Sequence, residues 1–357
     1  MKKTISIPIM RPQLPPLEKV QPYLDQMYAS GRFSNFGPLN AKFEERLADF
    51  LGVESWQVVT CSSATTGLTG VMQIASEPEF ILPNYTFAAG AHATLAAGKK
   101  IHLTDIHESN WQMVLPNRIS TSQAIQHVLP FGSAIALDQY PAIKTMVIDA
   151  AASLGAHPHD LSKLPEGWSV VFSLHATKVL GIGEGGFAVF GNQEHAEQFR
   201  LWTNFGFDDN RQSTFPGSNS KLSEISAAFG LAALDNWGTE KAEWLAAREL
   251  TLQAELALGL KVTKDLGNPI NPYWNIILED EGTADRVIAS FANEGIQTRR
   301  WWQRGLSQMP AFMSQGKGNY PVTELISGKA IGIPFFRGIS KSEIIHISEL
   351  LDKSLNC

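Results

Sequence analysis

A lysine followed by several glycines is the part of this sequence best suited to hold a ligand. Lys178 lies in the loop beyond an apolar, strand-like run, Trp168–Ser173, and the glycine-rich stretch Gly181–Gly186 follows it. In open α/β sheets ligands bind beyond the carboxyl ends of the strands, and glycines let the backbone turn tightly beside a bound group. The pattern therefore indicates a binding site around Lys178. The alternative is an exposed lysine in a surface loop.

The same glycines match the spacing G-x-G-x-x-G of dinucleotide-binding turns, at Gly181, Gly183 and Gly186. That fingerprint must follow a strand and open a helix. Here the strand-like run Phe187–Phe190 follows, so a dinucleotide site is rejected.

A second candidate is an aspartate at the end of another apolar run. Asp149 ends the run Met146–Asp149 and is followed only by small residues as far as Ser153. Small neighbours let a flat heterocycle approach the carboxylate, and with pyridoxal 5′-phosphate (PLP) the carboxylate would keep the pyridine nitrogen protonated. The alternative is a structural aspartate that caps a loop or helix.

Two weaker signals stand at other strand ends. The segment Thr60–Thr66 joins a strand to a helix and is rich in hydroxyl groups. Free N–H groups at a helix N-terminus suit a phosphate, although a simple N-cap explains the pattern as well. The segment Pro83–Phe87 follows another strand, and its aromatic ring is suited either to stack on a cofactor or to pack into the core.

Short β-branched runs alternate with helical patterns through the first two-thirds of the chain, which predicts an α/β domain with a mostly parallel, seven-stranded sheet. The strand candidates are Gln57–Thr60, Phe80–Leu82, Lys100–Leu103, Ala124–Leu129, Lys144–Ile148, Trp168–Ser173 and Gly186–Phe190. The helical patterns are Leu17–Ser30, Pro38–Leu51, Thr65–Ile74, Thr86–Ala97 and Ala134–Tyr140.

The C-terminal part predicts a smaller α+β domain. Leu222–Leu260 is helical in pattern but is interrupted at Asn236 and Gly238, so we expect two helices there. The elements after it are a strand at Tyr273–Leu278, a helix at Thr283–Asn293, a basic aromatic loop at Arg299–Gly305, a strand at Ala330–Ile333 and a helix at Lys341–Leu351. We place the large domain at residues 1–240 and the small domain at residues 241–357.

The composition argues against several classes of protein. The 357 residues carry a formal net charge of −6, whereas nucleic-acid-binding proteins normally have a basic excess. No run of about 18 apolar residues occurs, so no membrane span is expected. With only Cys61 and Cys357 there is no disulfide framework, and prolines interrupt the N-terminal apolar stretch too early for a signal peptide. We expect a cytoplasmic protein.

In chain order, the helix N-terminus, the aromatic residue, the aspartate and the lysine resemble the fold type I PLP enzymes, and specifically the DegT-type (DegT/DnrJ/StrS) sugar aminotransferases. The resemblance covers nearly the whole chain. Its segments are Gly31–Pro38, Ala64-Thr65, Pro83–Phe87, Asp149–Ala151, Phe172–Lys178, Gly183–Gly186 and Gly217–Ala228. It implies an aminotransferase fold with a large PLP-binding domain and a smaller C-terminal domain.

The resemblance also implies roles for individual residues. Lys178 would carry PLP covalently and move the proton during transfer, Asp149 would pair with the pyridine nitrogen, and Phe87 would stack on the ring. Asn219 would reach the phosphate from the other subunit of a homodimer with shared active sites. The full implied PLP-binding set is Ala64, Thr65, Phe87, Asp149, Ser173, Lys178 and Asn219.

The substrate implied by the resemblance is a nucleotide-linked keto-sugar, with an amino-acid donor such as L-glutamate. The resemblance is somewhat closer to enzymes that act at carbon 4 of dTDP-4-keto-6-deoxyglucose, in the biosynthesis of deoxyamino sugars and surface polysaccharides. The resemblance places the segment Arg299, Arg300, Trp301 and Trp302 over the sugar-nucleotide pocket, and arginine suits phosphate oxygens. The alternative is an ordinary exposed loop.

The chain departs from the family pattern at three positions. Ala64 replaces the usual glycine of the phosphate turn, Ala152 replaces a glutamine or histidine near the cofactor, and Lys221 replaces an arginine. These changes concern fine substrate geometry rather than the cofactor.

Three competing functions remain. A sugar dehydratase on this fold would have histidine in place of Lys178, so the lysine argues against it. A non-catalytic ligand sensor would have little need of the pair Lys178 and Asp149. A metal hydrolase is suggested by His157-Pro-His159-Asp160, but no further ligand pattern accompanies it.

Overall fold

A seven-stranded sheet forms the centre of the large domain. The structure, a computed structural model, describes residues 6–134, 137, 140, 143–155, 160–262, 270–316 and 318–356. The strands are β1 (Val58–Cys61), β2 (Glu79–Pro83), β3 (Lys100–Thr104), β4 (Gln123–Val128), β5 (Met146–Asp149), β6 (Trp168–Ser173) and β7 (Gly186–Phe190). Their order is β1-β7-β6-β5-β4-β2-β3, and only β7 runs antiparallel to its neighbours. The predicted mostly parallel sheet is confirmed.

Helices cover both faces of this sheet. They are α1 (Leu17–Ser30), α2 (Pro38–Leu51), α3 (Ala64–Ile74), α4 (Ala88–Ala96), α5 (Gln193–Thr203) and α6 (Glu224–Leu258). Successive strand residues alternate between the faces: Val170 and Phe172 enter one core, and Val171 enters the other. Both faces of the sheet are therefore buried, as its near-continuous apolar strands require.

The C-terminal part forms a separate three-stranded sheet of order β10-β9-β8. Its elements are β8 (Lys261–Val262), β9 (Trp274–Ile277), α7 (Glu281–Asn293), α8 (Pro321–Lys329), β10 (Ala330–Ile333) and α9 (Lys341–Leu355). A third hydrophobic core joins this sheet to α7 and α9. Near the N-terminus, Ile7 pairs with Ile296, so the first described residues also pack on this part of the chain. The division into residues 1–240 and 241–357 stays a prediction.

The expectation of two helices within Leu222–Leu260 is wrong. One helix of 35 residues, α6, runs through both suspected breaks. The Asn236 side chain donates to Glu240 one turn later, and Gly238 is exposed, with no other atom close to where a Cβ would lie. A glycine inside a helix costs about 1 kcal/mol relative to alanine, which the packing of α6 against α1, α2 and α9 outweighs.

Two helices were missed and one prediction falls largely outside the described residues. The helices α5 and α8 were not anticipated, whereas α1 and α2 have the predicted bounds. Most of the helix expected at Ala134–Tyr140 lies on residues that the structure does not describe. Within the described part of the chain, no helix is long and apolar enough to cross a membrane.

Candidate active site

The carboxyl ends of the parallel strands share one sheet edge, and a cavity of about 590 Å³ opens there. Its walls come from both the large sheet and the C-terminal part. The predicted site residues that line it are Ala64, Thr65, Phe87, Asp149, Ser173, Lys178, Arg299, Trp301 and Trp302. Nine of the eleven predicted site residues therefore line one common cavity, and Asn219 and Arg300 do not.

The N-terminus of α3 supplies an anion-binding surface to this cavity. Ser63 caps the helix, and its hydroxyl accepts from the Thr66 amide at 3.2 Å. The amides of Ala64 and Thr65 have no acceptor among the described residues, as expected in a first helical turn. A Cβ on Gly186 would lie 2.6 Å from the Ala64 nitrogen, so only glycine lets β7 approach this turn. Two free N–H groups and a helix dipole fit a phosphate.

Asp149 presents a buried carboxylate at the end of β5. Burial raises its pKa above the usual range, while the Ala151 amide, which donates to Oδ1 at 3.0 Å, and the charge of Lys178 partly offset the rise. A buried carboxylate of this kind lacks a full counter-charge. A protonated ring nitrogen bound in the cavity would supply that charge.

Lys178 projects from the loop after β6, and its amine contacts the residue that precedes strand β9 of the small sheet. Nζ donates to the hydroxyl of Tyr273 at 3.0 Å. The loop that contains Lys178 is closed by a hydrogen bond from the Ala176 amide to the Gly183 carbonyl, and Gly183 has φ +103°, which strongly favours glycine. Tyr273 was missed by sequence reasoning because nothing local links it to a lysine 95 residues away.

Phe87 precedes α4 and keeps a largely exposed ring at the cavity wall. Its relative exposure is 65% although its neighbour Thr86 is buried. The Thr86 hydroxyl has no partner among the described residues. The exposed ring of Phe87, next to the unpaired Thr86 hydroxyl, is suited to stack on a flat polar ring.

The substrate-side wall is aromatic and contains residues with left-handed backbone. Trp302 (φ +55°) stacks on Phe131 (φ +54°) with ring centroids 4.3 Å apart. The guanidinium of Arg299 lies 5.1 Å from the ring centroid of Trp301. Backbone of this kind in non-glycine residues is uncommon and concentrates at functional sites.

Arg300 does not line the cavity, so the structure does not bring this predicted substrate residue to the site. Its guanidinium donates to the carbonyls of Ser327 and Gly328. It also forms an ion pair with Asp285 at 2.6 Å. Arg299 is bridged to a neighbouring strand in extended conformation, and successive side chains of extended backbone point to opposite sides. Only one of the two arginines can therefore face the cavity.

Asn219 is exposed and does not line the cavity of its own chain. Its Oδ1 accepts from Lys221 at 2.8 Å. This position is compatible with the prediction that Asn219 serves a second subunit. Of the suspected metal ligands, His157 and His159 lie outside the described residues, and within the described part no cluster suited to a metal occurs.

A lysine, a buried carboxylate and a helix N-terminus around one sheet-edge cavity define the class of fold type I PLP enzymes. The chain matches the model of the DegT/DnrJ/EryC1/StrS aminotransferase family over residues 17–352. The chain belongs to this family.

Individual relatives agree with this assignment. The chain is similar to a dTDP-4-amino-4,6-dideoxy-D-glucose transaminase of Shigella dysenteriae, with 31% identity over 325 residues, which cover 87% of this chain and 88% of that protein. It is similar in structure to DesI in the presence of its TDP-sugar product, with 27% identity and a TM-score of 0.85, over 99% of this chain and 94% of that one. A protein of Bacillus cereus ATCC 10987 described as a PLP-dependent aminotransferase has 25% identity and a TM-score of 0.87, over 97% and 99% of the two chains.

Family membership confirms four predictions: the DegT-type family, the fold type I class, aminotransferase activity and PLP as the cofactor. The residues of the cavity fit that cofactor. The amides of Ala64 and Thr65 are suited to bind its phosphate, and the buried carboxylate of Asp149 is suited to pair with its protonated ring nitrogen. The roles of individual residues stay predictions.

Proposed function

We propose that this protein transfers an amino group from an amino-acid donor, L-glutamate, to a nucleotide-linked keto-sugar, with PLP carried on Lys178. The observation that supports this most is the convergence of Lys178, Asp149 and the N-terminus of α3 on one cavity. The proposed substrate is dTDP-4-keto-6-deoxyglucose. A dTDP-sugar transaminase is among the relatives, and a similar structure was solved with a TDP-sugar.

Each group has a proposed task at the cofactor. The amides of Ala64 and Thr65 and the hydroxyl of Ser173 bind the phosphate. Phe87 covers one face of the ring, and the Asp149 carboxylate keeps a proton on the ring nitrogen. When bound, PLP supplies an electron sink for the bond that loses its proton at the donor's α-carbon.

Lys178 has two tasks. Its Nζ holds the cofactor between turnovers, and after displacement by the donor amine it takes the proton from the α-carbon. In the second half-reaction the same amine moves a proton in the reverse sense while nitrogen passes to the sugar. Both half-reactions therefore depend on one side chain, and the kinetics should be ping-pong.

The substrate is proposed to lie against the C-terminal wall. Arg299 binds phosphate oxygens of the nucleotide, and Trp301 and Trp302 pack on the sugar or base. An acidic chain that binds a diphosphate needs a local cation, and Arg299 lines the cavity. The product would serve deoxyamino-sugar and surface-polysaccharide biosynthesis in the cytoplasm.

The central experiment locates the cofactor and then tests the substrate. Borohydride reduction of the purified protein should attach PLP to Lys178, as shown by peptide mapping, and a label on another lysine would contradict the proposal. The reduced protein is the control for a panel of dTDP-, UDP- and GDP-keto-sugars offered to the active enzyme with glutamate. Amination of a dTDP-4-keto-sugar is expected, and amination of none would contradict the substrate class.

We propose a homodimer in which Asn219 completes the neighbouring site. Mixed dimers of Lys178→Ala and Asn219→Ala subunits would then contain one site with all wild-type groups and recover activity. Mixed dimers that form but stay inactive would show that each subunit is self-sufficient.

A further inference from the structure

The free amine of Lys178 is held by the hydroxyl of Tyr273, the residue just before strand β9. Nζ donates to Oη of Tyr273 at 3.0 Å, and Nζ also lies 5.6 Å from the centroid of the tyrosine ring. Both residues line the same cavity. Among the described residues, neither the Lys178 amine nor the Tyr273 hydroxyl has another hydrogen-bond partner.

Tyr273 is held by one backbone hydrogen bond and by two ring contacts. Its amide donates to Oδ1 of the buried Asn271 at 3.1 Å, which sets the backbone just before β9. The ring meets Phe131 edge-on at 5.3 Å and Trp301 at 5.2 Å, with interplanar angles of 80° and 89°. Since the ring cannot turn freely, the hydroxyl stays at one place above Lys178.

A lysine side chain is long and flexible, and its amine has to return to one place in every half-reaction. Proton transfer requires the base within hydrogen-bond reach of the proton that it takes. A fixed acceptor in the cavity meets this need, because it keeps the released amine from swinging away from the reacting carbon. A purely structural role for the Tyr273 hydroxyl is not supported, since within the described part of the chain Oη forms a hydrogen bond only with Lys178.

We propose that Tyr273 is a positioning residue for Lys178. Its hydroxyl accepts a hydrogen bond from Nζ whenever the lysine is free of the cofactor, and so holds the amine ready for proton transfer and for recapture of the cofactor. This inference rests on the proposed function, in which Lys178 carries PLP.

The test replaces Tyr273 with phenylalanine, which keeps the ring and removes the acceptor. Since a single hydrogen bond is worth roughly a three- to tenfold change, kcat should fall by about that factor in both half-reactions. KM for the donor and for the nucleotide-sugar should stay unchanged. The rate at which the apoenzyme captures PLP, followed by growth of visible absorption, should fall by a similar factor.

Tyr85→Phe is the matched control. Tyr85 belongs to the same aromatic cluster, its hydroxyl is buried without a partner among the described residues, and its ring meets Trp302 at 4.9 Å. The control variant should capture PLP and turn over at the wild-type rate. Equal urea midpoints for both variants and the wild type would show that neither effect comes from unfolding.

The outcomes separate the inference from the proposal beneath it. If wild-type protein takes up PLP on Lys178 and Tyr273→Phe behaves like Tyr85→Phe, the positioning role is overturned alone. A raised KM for one substrate with unchanged kcat would make Tyr273 a substrate contact instead and would also overturn it. Wild-type protein that never binds PLP at Lys178 would overturn the proposed function itself.

Discussion

The sheet side of the cavity and its C-terminal side are held by different kinds of interaction. On the sheet side, Asp149 and Ser173 end buried strands whose register fixes them through backbone hydrogen bonds. On the C-terminal side, left-handed Trp302 stacks on Phe131, and the guanidinium of Arg299 lies over the ring of Trp301. The first wall is set by the fold, whereas the second depends on specific side chains and is the part suited to vary with substrate.

The largest effect is expected where the sheet side carries the chemistry. Lys178→Ala removes both the cofactor carrier and the base, so turnover should fall by at least about 10²- to 10⁴-fold. PLP should still bind through its phosphate and ring contacts, which equilibrium dialysis would measure. The control is Lys163→Ala, which removes an exposed lysine paired with Asp160. Residual turnover within a few-fold of wild type would show that the base lies elsewhere.

Asp149→Asn tests the charge on the same wall without changing its shape. Turnover should fall far more than PLP occupancy, because the amide cannot hold the ring nitrogen protonated. Near wild-type turnover in this variant would remove the electron-sink argument.

The same variant has a pH signature in the apoenzyme. Burial raises the pKa of Asp149 above its unfolded value, so folding takes up a proton between the two pKa values. The contribution to stability is full below the unfolded pKa and is lost as the pH rises through the folded one. Apo Asp149→Asn, which lacks this loss, should be more stable than wild type at neutral pH by on the order of 1 kcal/mol. Urea unfolding at neutral and acidic pH would show the gap closing as the pH falls.

Variants of the two neighbouring arginines distinguish a role in the C-terminal wall of the cavity from a role in the fold. Arg299→Ala should lower kcat/KM for the nucleotide-sugar about ten- to a hundredfold, the effect of losing a charged hydrogen bond of roughly 1.5–3 kcal/mol. The half-reaction with the amino donor should stay nearly unchanged. Arg300→Ala is the matched control, because it lies outside the cavity and should cost roughly 1 kcal/mol of stability without a selective change in KM. Equal damage to both half-reactions by Arg299→Ala would assign Arg299 to the cofactor or the fold.

The sheet side could be predicted from sequence because its signals are local. An apolar run predicts a strand, and the polar residue that ends it, Asp149 in one run and Ser173 in the other, predicts a binding site at the carboxyl end of that strand. The alternation of runs then places these ends together, since parallel strands share one edge.

The C-terminal side could be predicted only in part. The sequence shows two adjacent cations but not that extended backbone turns Arg300 away from Arg299. Nor does any local pattern bring Tyr273 to Lys178, since that contact depends on how the small sheet packs over the large one. The continuous helix α6 was missed for a related reason: its packing at both ends overrides a local break signal.

The smallest expected effect concerns that helix, which links the two sides. Gly238 lies inside α6, is exposed, and has no atom near the position of a Cβ. If α6 is continuous, Gly238→Ala should raise the free energy of unfolding by about 0.5–1 kcal/mol, because alanine loses less backbone entropy in a helix. The matched control is Gly52→Ala, which has equally open space but a φ of +68° at the end of α2. It should lose stability by roughly 1 kcal/mol, since an alanine is strained in that region. Opposite signs in urea unfolding would support a continuous helix, whereas a loss in both variants would place a real turn at Gly238 and restore the two-helix expectation.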